Sequence, residues 1–206
     1  MRVIQCSSIP NAYEKGIKYV LDNGKQKHVH NTDVKQANEV ALEIKISNEL
    51  LESKIAPFGF ESNQSYIDDF LNPDKGEFTY TYGERICNFE GTNQFDEVIS
   101  KIKSDPDNRQ SIIVIWNPKT DNQMKDCPCL QHIHFYLDAD NKFTMKVLFR
   151  SNDFYGALYS NMVALYHVFK LIGEKTGLTP EKYIHEANCP HIYWYNIKEC
   201  ESKLGY

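Results

Sequence analysis

The chain has 206 residues, 41% hydrophobic and 13% aromatic, enough to bury a sizeable core and too apolar for a disordered segment. Its formal charge of −5 excludes a general basic surface for a nucleic-acid polymer, and no apolar run approaches the roughly 18 residues of a membrane span. The opening MRVIQCSSIPNAYEKG lacks a signal-peptide core and the six cysteines show no disulfide-framework spacing, so reduced thiols in a cytoplasmic protein are expected.

In chain order, residues 11–22 (NAYEKGIKYVLD) carry apolar positions at helical spacing and stop before Asn23-Gly24, which predicts a helix. Val40, Leu42, Ile44 and Ile46 alternate through 39–47, as in a half-buried strand. The segment 48–90 is less regular, with a short helix near 64–71 and the aromatic run FTYTYGERI at 78–86. Residues 93–104 read as a helix, and the continuous apolar run SIIVIW at 111–116 as a buried strand. NMVALYHVFKLIGEKTG at 161–177 is apolar on most faces, as in a buried helix closed by Gly177 and Pro180. KYIHEANCPHIYWYNI at 182–197 predicts a short helix followed by a strand. With no repeat and no linker composition, residues 1–206 are expected to form one α+β domain.

Cys127 to Asn161 is the most informative stretch. The runs 131–137 (QHIHFYL) and 143–149 (FTMKVLF) flank the polar segment Asp138–Lys142, a β-hairpin signature. With the turn centred near residue 140, antiparallel pairing sets Cys129 opposite Ser151 and beside Arg150. A neighbouring guanidinium lowers a thiol pKa towards thiolate, so Cys129 is the expected nucleophile. Of the 23 basic residues only four are arginines, Arg2, Arg85, Arg109 and Arg150, and each is a candidate for work that needs a planar fork.

Cys127-Pro128-Cys129 followed by His132-x-His134 has the residue types of a zinc site. On an extended strand, however, 127 and 129 share one face and 132 and 134 the other, so no metal is expected. Arg150-Ser151-Asn152-Asp153 reads either as a solvated turn or as part of a site. Asn161, at the head of the helical run, reads either as its N-cap or as an amide that hydrogen-bonds a flat heterocycle.

Taken together, these residues resemble the thymidylate synthase family, which combines a P-C nucleophile, an R-S-x-D motif, an Asn eleven residues after that Arg and a later H-I-Y triplet. Pro128-Cys129, Arg150-Ser151-Asn152-Asp153, Asn161 and His191-Ile192-Tyr193 stand in that order. Tyr82-Gly83, and Asp107-Asn108-Arg109 leading to Trp116-Asn117, are similar to further family patterns. The likeness spans about residues 78–197, and YTYGER and RSNDFYGA look most like the shorter archaeal-type members.

The resemblance implies a thymidylate synthase-like fold, with a mixed or antiparallel sheet around a buried central helix. It implies methylation of dUMP to dTMP, with 5,10-methylenetetrahydrofolate or a methanopterin analogue as donor. Cys129 would add to C6 of the pyrimidine, Tyr82 would serve proton transfers at C5, and Asp153 would meet the pterin. Arg150 and Ser151 would bind the phosphate, Asn161 would read the base, and His191 and Tyr193 would meet the deoxyribose hydroxyl. A homodimer is implied in which Arg109 reaches its neighbour's phosphate site.

The chain departs from the family pattern in places. Gln110 stands where a second arginine is usual, and a further phosphate arginine expected near the start of the 39–47 strand has no counterpart. Leu130 follows the nucleophile where bacterial members carry His, and His134 stands for a usual Gln. The chain also ends thirteen residues after Tyr193, without the family's closing C-terminal segment. Phage dUMP or dCMP hydroxymethylases share the fold and an RSND motif, so hydroxymethylation is the alternative expectation. A non-catalytic nucleotide-binding relative is a third.

Overall fold

The computed structural model describes residues 1–46, 52–57 and 64–206. Strand β1 (Arg2–Cys6) leads into helix α1 (Ile9–Asn23), whose start is set by Ser8: its hydroxyl accepts the Asn11 N–H, and Pro10 occupies the first turn. α1 buries Ala12, Tyr13, Gly16, Ile17, Val20 and Leu21, the helical stripe expected over 11–22. The hairpin of β2 (Lys25–Val29) and β3 (Thr32–Gln36) turns at His30 and Asn31, with φ of 50° and 65°. Two consecutive left-handed residues are what a two-residue hairpin loop of the primed kind requires.

Strand β4 (Val40–Lys45) follows, with Val40, Leu42 and Ile44 fully buried as expected; Ser47, the last residue of the expected span, lies outside the described residues. Three helices come next: α2 (Gln64–Asp69), α3 (Tyr82–Cys87) and α4 (Gln94–Ser104), the last capped by Asn93. Then come β5 (Ser111–Val114), β6 (Leu130–Leu137), β7 (Phe143–Phe149) and the short β8 (Asn152–Asp153). The chain continues through α5 (Leu158–Thr176), β9 (Pro180–Ala187), β10 (Pro190–Tyr193) and α6 (Ile197–Leu204).

A six-stranded mixed sheet has the order β1-β4-β9-β7-β6-β5, and a four-stranded sheet the order β2-β3-β10-β8. One face of the larger sheet is sealed. Its central row, Leu42, His185, Val147, Ile133 and Ile113, is in register across five strands, and every member is fully buried. α5 lies in the core with α1, α2, α4 and β9 around it, burying Met162, Ala164, Leu165, Val168 and Phe169. Each large apolar side chain so enclosed contributes about 1.5–3 kcal/mol, which explains why this helix is apolar on most faces. It ends as the sequence implies, with Gly177 at φ 78° and its N–H on the Gly173 carbonyl. The fold is α+β, with a mixed sheet and a buried central helix. Among the described residues no helix is long and apolar enough to cross a membrane.

Three expectations are corrected. Residues 180–187 form strand β9, not a short helix, because this segment sits between β4 and β7 and alternates Tyr183, His185 and Ala187 into the core. The 111–116 run is not buried on both faces. β5 is an edge strand, and Ile112 and Val114 are 40% and 42% exposed. A β-bulge between Leu130 and His132 changes the hairpin register, so the Arg150 N–H meets the Cys129 carbonyl at 2.9 Å, where simple pairing had put Cys129 opposite Ser151.

Candidate active site

The β6–β7 hairpin delivers the loop before β6 against the residue after β7. The Arg150 guanidinium grips that loop: Nε donates to the Pro128 carbonyl at 2.9 Å, and Nη2 donates to the Cys127 carbonyl at 2.7 Å and to Cys127 Sγ at 3.2 Å. Its Nη1 hydrogens have no partner among the described residues. The cation thus bonds the first thiol of CPC and acts on Cys129 only through its field. Burial pushes the Cys129 thiol up, and Arg150 lowers it by less. The expected low-pKa thiol is therefore corrected: in the protein without substrate, desolvation outweighs the neighbouring cation.

Tyr82 reaches the same place from the start of α3. Thr81 caps that helix, its hydroxyl accepting the Glu84 N–H at 3.0 Å. Gly83 presses against the end of α2, where a Cβ would lie 2.1 Å from the Asp69 carbonyl oxygen, so only glycine permits the approach. The Tyr82 hydroxyl accepts the Leu130 N–H at 3.3 Å, next in sequence to Cys129. Burial holds its ionisation well above the ordinary tyrosine value, so the phenol stays protonated. Tyr66, Phe70, Tyr80 and Tyr82 form a chain of ring contacts with centroids 5.1–6.0 Å apart. Beside Tyr66 and Tyr82 opens a cavity of about 420 Å³, walled by Phe70, Phe78 and Tyr80 and edged by Asp69 and Asp126.

Asn161 does not cap α5. The helix starts at Leu158, so Asn161 lies in its first turn with its N–H on the Ala157 carbonyl. Its buried side chain is left for another task, and Oδ1 accepts the Tyr66 hydroxyl at 2.7 Å.

β8 and β10 pair in parallel, setting Asp153 beside His191. His191 Nδ1 donates to the Cys189 carbonyl at 3.1 Å and lies 3.4 Å from Ser151 Oγ, so the serine's own proton is available to a ligand. Asp153 accepts the Tyr155 N–H at 3.0 Å; burial raises its pKa, opposed by backbone donors at Gly156 and Tyr155 and by His191. The Tyr193 ring meets His191 edge-on at 5.4 Å. Beneath this pair, the Asn152 amide oxygen bonds His185 Nε2 at 3.1 Å, and His185 Nδ1 bonds the Tyr183 hydroxyl at 2.9 Å.

The structure thus gathers Cys129, Tyr82 and Arg150 in one group and Ser151, Asp153, His191 and Tyr193 in another, joined through Arg150-Ser151. Asn161 joins the first group through Tyr66. Arg109 stands apart, exposed on the loop before β5. Arg85, also a candidate as a rare arginine, is structural: it is buried with Nη2 on Asp121 at 2.8 Å and Nη1 on the Ile115 carbonyl. Motif reading missed Tyr66, Tyr80 and the bond to Cys127. The density of tyrosines in 66–82 was the available signal, but it could not say which ring faces the thiol.

A family model described as thymidylate synthase matches residues 52–205. A protein of Methanocaldococcus jannaschii, provisionally named a thymidylate synthase, is 29% identical over 206 aligned residues covering 94% of this chain and 91% of its own length. One of Methanothermobacter marburgensis, also provisionally so named, is 31% identical over 144 residues, 70% of this chain and 64% of that protein. The thymidylate synthase of Phytoplasma mali is 30% identical over 68% of this chain and half of its own length. The matched segment therefore spans under two thirds of the Methanothermobacter relative. The fold, the ordered motifs around Cys129 and this match over three quarters of the residues agree: the chain belongs to the thymidylate synthase family.

Proposed function

We propose that the chain is a thymidylate synthase, a one-carbon transferase that methylates dUMP at C5 to give dTMP. The observation that carries this reading is one aromatic cluster in which Tyr82 bonds the backbone next to Cys129, Tyr66 holds the Asn161 amide, and both phenols lie within the field of the Cys129 thiol. Cys129 adds as thiolate to C6 of the uracil, its proton passing to solvent, which leaves C5 electron-rich; once C5 carries the one-carbon unit and has lost its proton, expulsion of the thiolate restores the C5–C6 double bond. Arg150, clamped by the Cys127 and Pro128 carbonyls, keeps its Nη1 donors for the phosphate, and Ser151 adds a hydroxyl donor. The Tyr82 phenol, protonated and fixed by the Leu130 N–H, exchanges protons at C5. His191 and Tyr193 meet the sugar.

The donor is a reduced pterin, 5,10-methylenetetrahydrofolate or a methanopterin analogue, which supplies the one-carbon unit and the reducing equivalents when bound. Residues fit such a group. The 420 Å³ cavity offers flat aromatic walls to a planar ring, and Asp69 and Asp126 are acceptors for its N–H edge. Asp153, half-enclosed beside His191, is a further acceptor.

The unit is a homodimer that uses the open face of the large sheet. There Ile112, Val114, Leu148 and Ile184 stand among His132, His134 and the Lys146–Glu186 pair. Arg109 is exposed just before β5 at that edge, and in the proposed dimer it serves the neighbouring copy and offsets the scarcity of arginines at the phosphate end.

Incubation of the protein with dUMP and methylenetetrahydrofolate, and in parallel with a methanopterin donor, should give a product heavier by one CH2, a methyl group in place of the C5 hydrogen. Cys129→Ser should give none. A hydroxymethyl product would transfer the protein to the pyrimidine hydroxymethylases, and no product with either donor would overturn the enzymatic reading.

A further inference from the structure

We propose that Tyr66 decides which pyrimidine this site reads, by locking the Asn161 amide in one of its two orientations. The inference rests on the nucleotide-binding reading above and deepens it.

Tyr66 lies on α2 and Asn161 in the first turn of α5, and the two helices pack together. The tyrosine hydroxyl donates to Asn161 Oδ1 at 2.7 Å, a short bond for a neutral pair. Burial raises the ionisation of this phenol, so it keeps the proton that it donates. Its ring is held edge-on to Phe70 at 5.2 Å, which leaves the hydroxyl little choice of direction. Among the described residues the Tyr66 proton has no other acceptor. If the amide turned over, Nδ2 would face the phenol oxygen, and the phenolic proton would lose its partner in a buried place.

The locked orientation matters because an amide reads a heterocycle with one donor and one acceptor. Nδ2 makes no hydrogen bond among the described residues and remains available to a ligand. Oδ1 keeps its second lone pair. The amide therefore presents a donor and an acceptor in fixed order. Uracil offers the complement, an O4 acceptor beside an N3–H donor. Cytosine offers the reverse, an amino donor beside an N3 acceptor, and pairs only with the overturned amide. In this reading Asn161 touches the base, and Tyr66 is a positioning residue that makes the amide selective.

The test is Tyr66→Phe, which keeps the ring against Phe70 and removes only the hydroxyl. Dissociation constants for dUMP and dCMP are measured by isothermal titration calorimetry on wild type and variant, with far-UV circular dichroism to confirm the fold. Wild type should prefer dUMP, and the variant's preference should fall by about three- to tenfold, the worth of one neutral hydrogen bond. In an Asn161→Ala background the same Tyr66 change should leave the ratio unmoved, which a merely structural role for Tyr66 does not require. Tyr66→Met carries the same comparison should the phenylalanine variant not fold. A folded variant with unchanged dUMP-over-dCMP preference overturns the role of Tyr66 alone. A wild type that binds neither nucleotide overturns the parent reading with it.

Discussion

His185 is fully enclosed, stacked on Phe149 at 4.7 Å between the Tyr183 hydroxyl and the Asn152 amide. Burial pushes its pKa down from 6.5 to about 3, so the folded protein keeps it neutral while an unfolded chain protonates it near pH 6.5. Across that window the unfolded state binds the extra proton, so stability is complete above about pH 6.5 and falls as the pH drops towards 3. Each pH unit is worth up to about 1.4 kcal/mol, and the fall from pH 6.5 to pH 5 about 2 kcal/mol, a large share of a typical stability of about 5–15 kcal/mol. The consequence reaches the site, because the His185 ring holds the residue between Ser151 and Asp153. Urea unfolding followed by tryptophan fluorescence at pH 5, 6, 7 and 8, at fixed protein concentration, measures the effect in wild type and His185→Gln. His132 and His134 are also lowered by burial and Asp153 is raised, so the wild-type slope sums several groups. The difference between the two proteins isolates one. The wild type should lose stability below pH 6.5 more steeply than His185→Gln, by up to one proton's slope. Parallel pH profiles would refute the reasoning, whatever the offset between them.

Two further outcomes follow from the same geometry. Arg150→Lys replaces a fork that spans the Pro128 and Cys127 carbonyls with a single point charge. It should cost about 2 kcal/mol in urea unfolding and weaken dUMP binding in calorimetry, and an unchanged midpoint would show that the clamp is not strained by its loss. Val114→Asp places a charge on the open sheet face at a position already 42% exposed. It should leave the far-UV spectrum intact and convert the proposed dimer to a monomer in light scattering; a dimer that persists would move the interface elsewhere, and a monomeric wild type would overturn the proposed dimer.

Local chemistry made much of this protein legible. The stripe of α1, the alternation of β4, the helical run of α4 and the Gly177 stop of α5 each follow from spacings within one element. The 131–149 hairpin follows from its turn, where Asp138 Oδ1 accepts the N–H groups of Asp140 and Lys142. The ordered motifs around Cys129 carried the family as well, because they are words in the chain and not distances in space.

Other features were decided by partners far away in sequence. Residues 180–187 became a strand because a slot between β4 and β7 was open to them, overriding a local pattern that also suited a helix. β5 became an edge strand because, among the described residues, no strand follows β5 in the sheet order, which turns an apolar run into a half-exposed face. One extra residue at the Leu130–His132 bulge moved Cys129 by one step, and the Arg150 guanidinium then bonded Cys127. The thiol's pKa was misread for the same reason: the charge beside it was visible in the sequence, while the depth of burial was not. By itself, then, the sequence determined the elements with strong local period, the neighbourhood of Cys129 and the family. Only the tertiary structure decided strand order, register, burial and the Tyr66–Asn161 bond, because those depend on which distant surfaces meet.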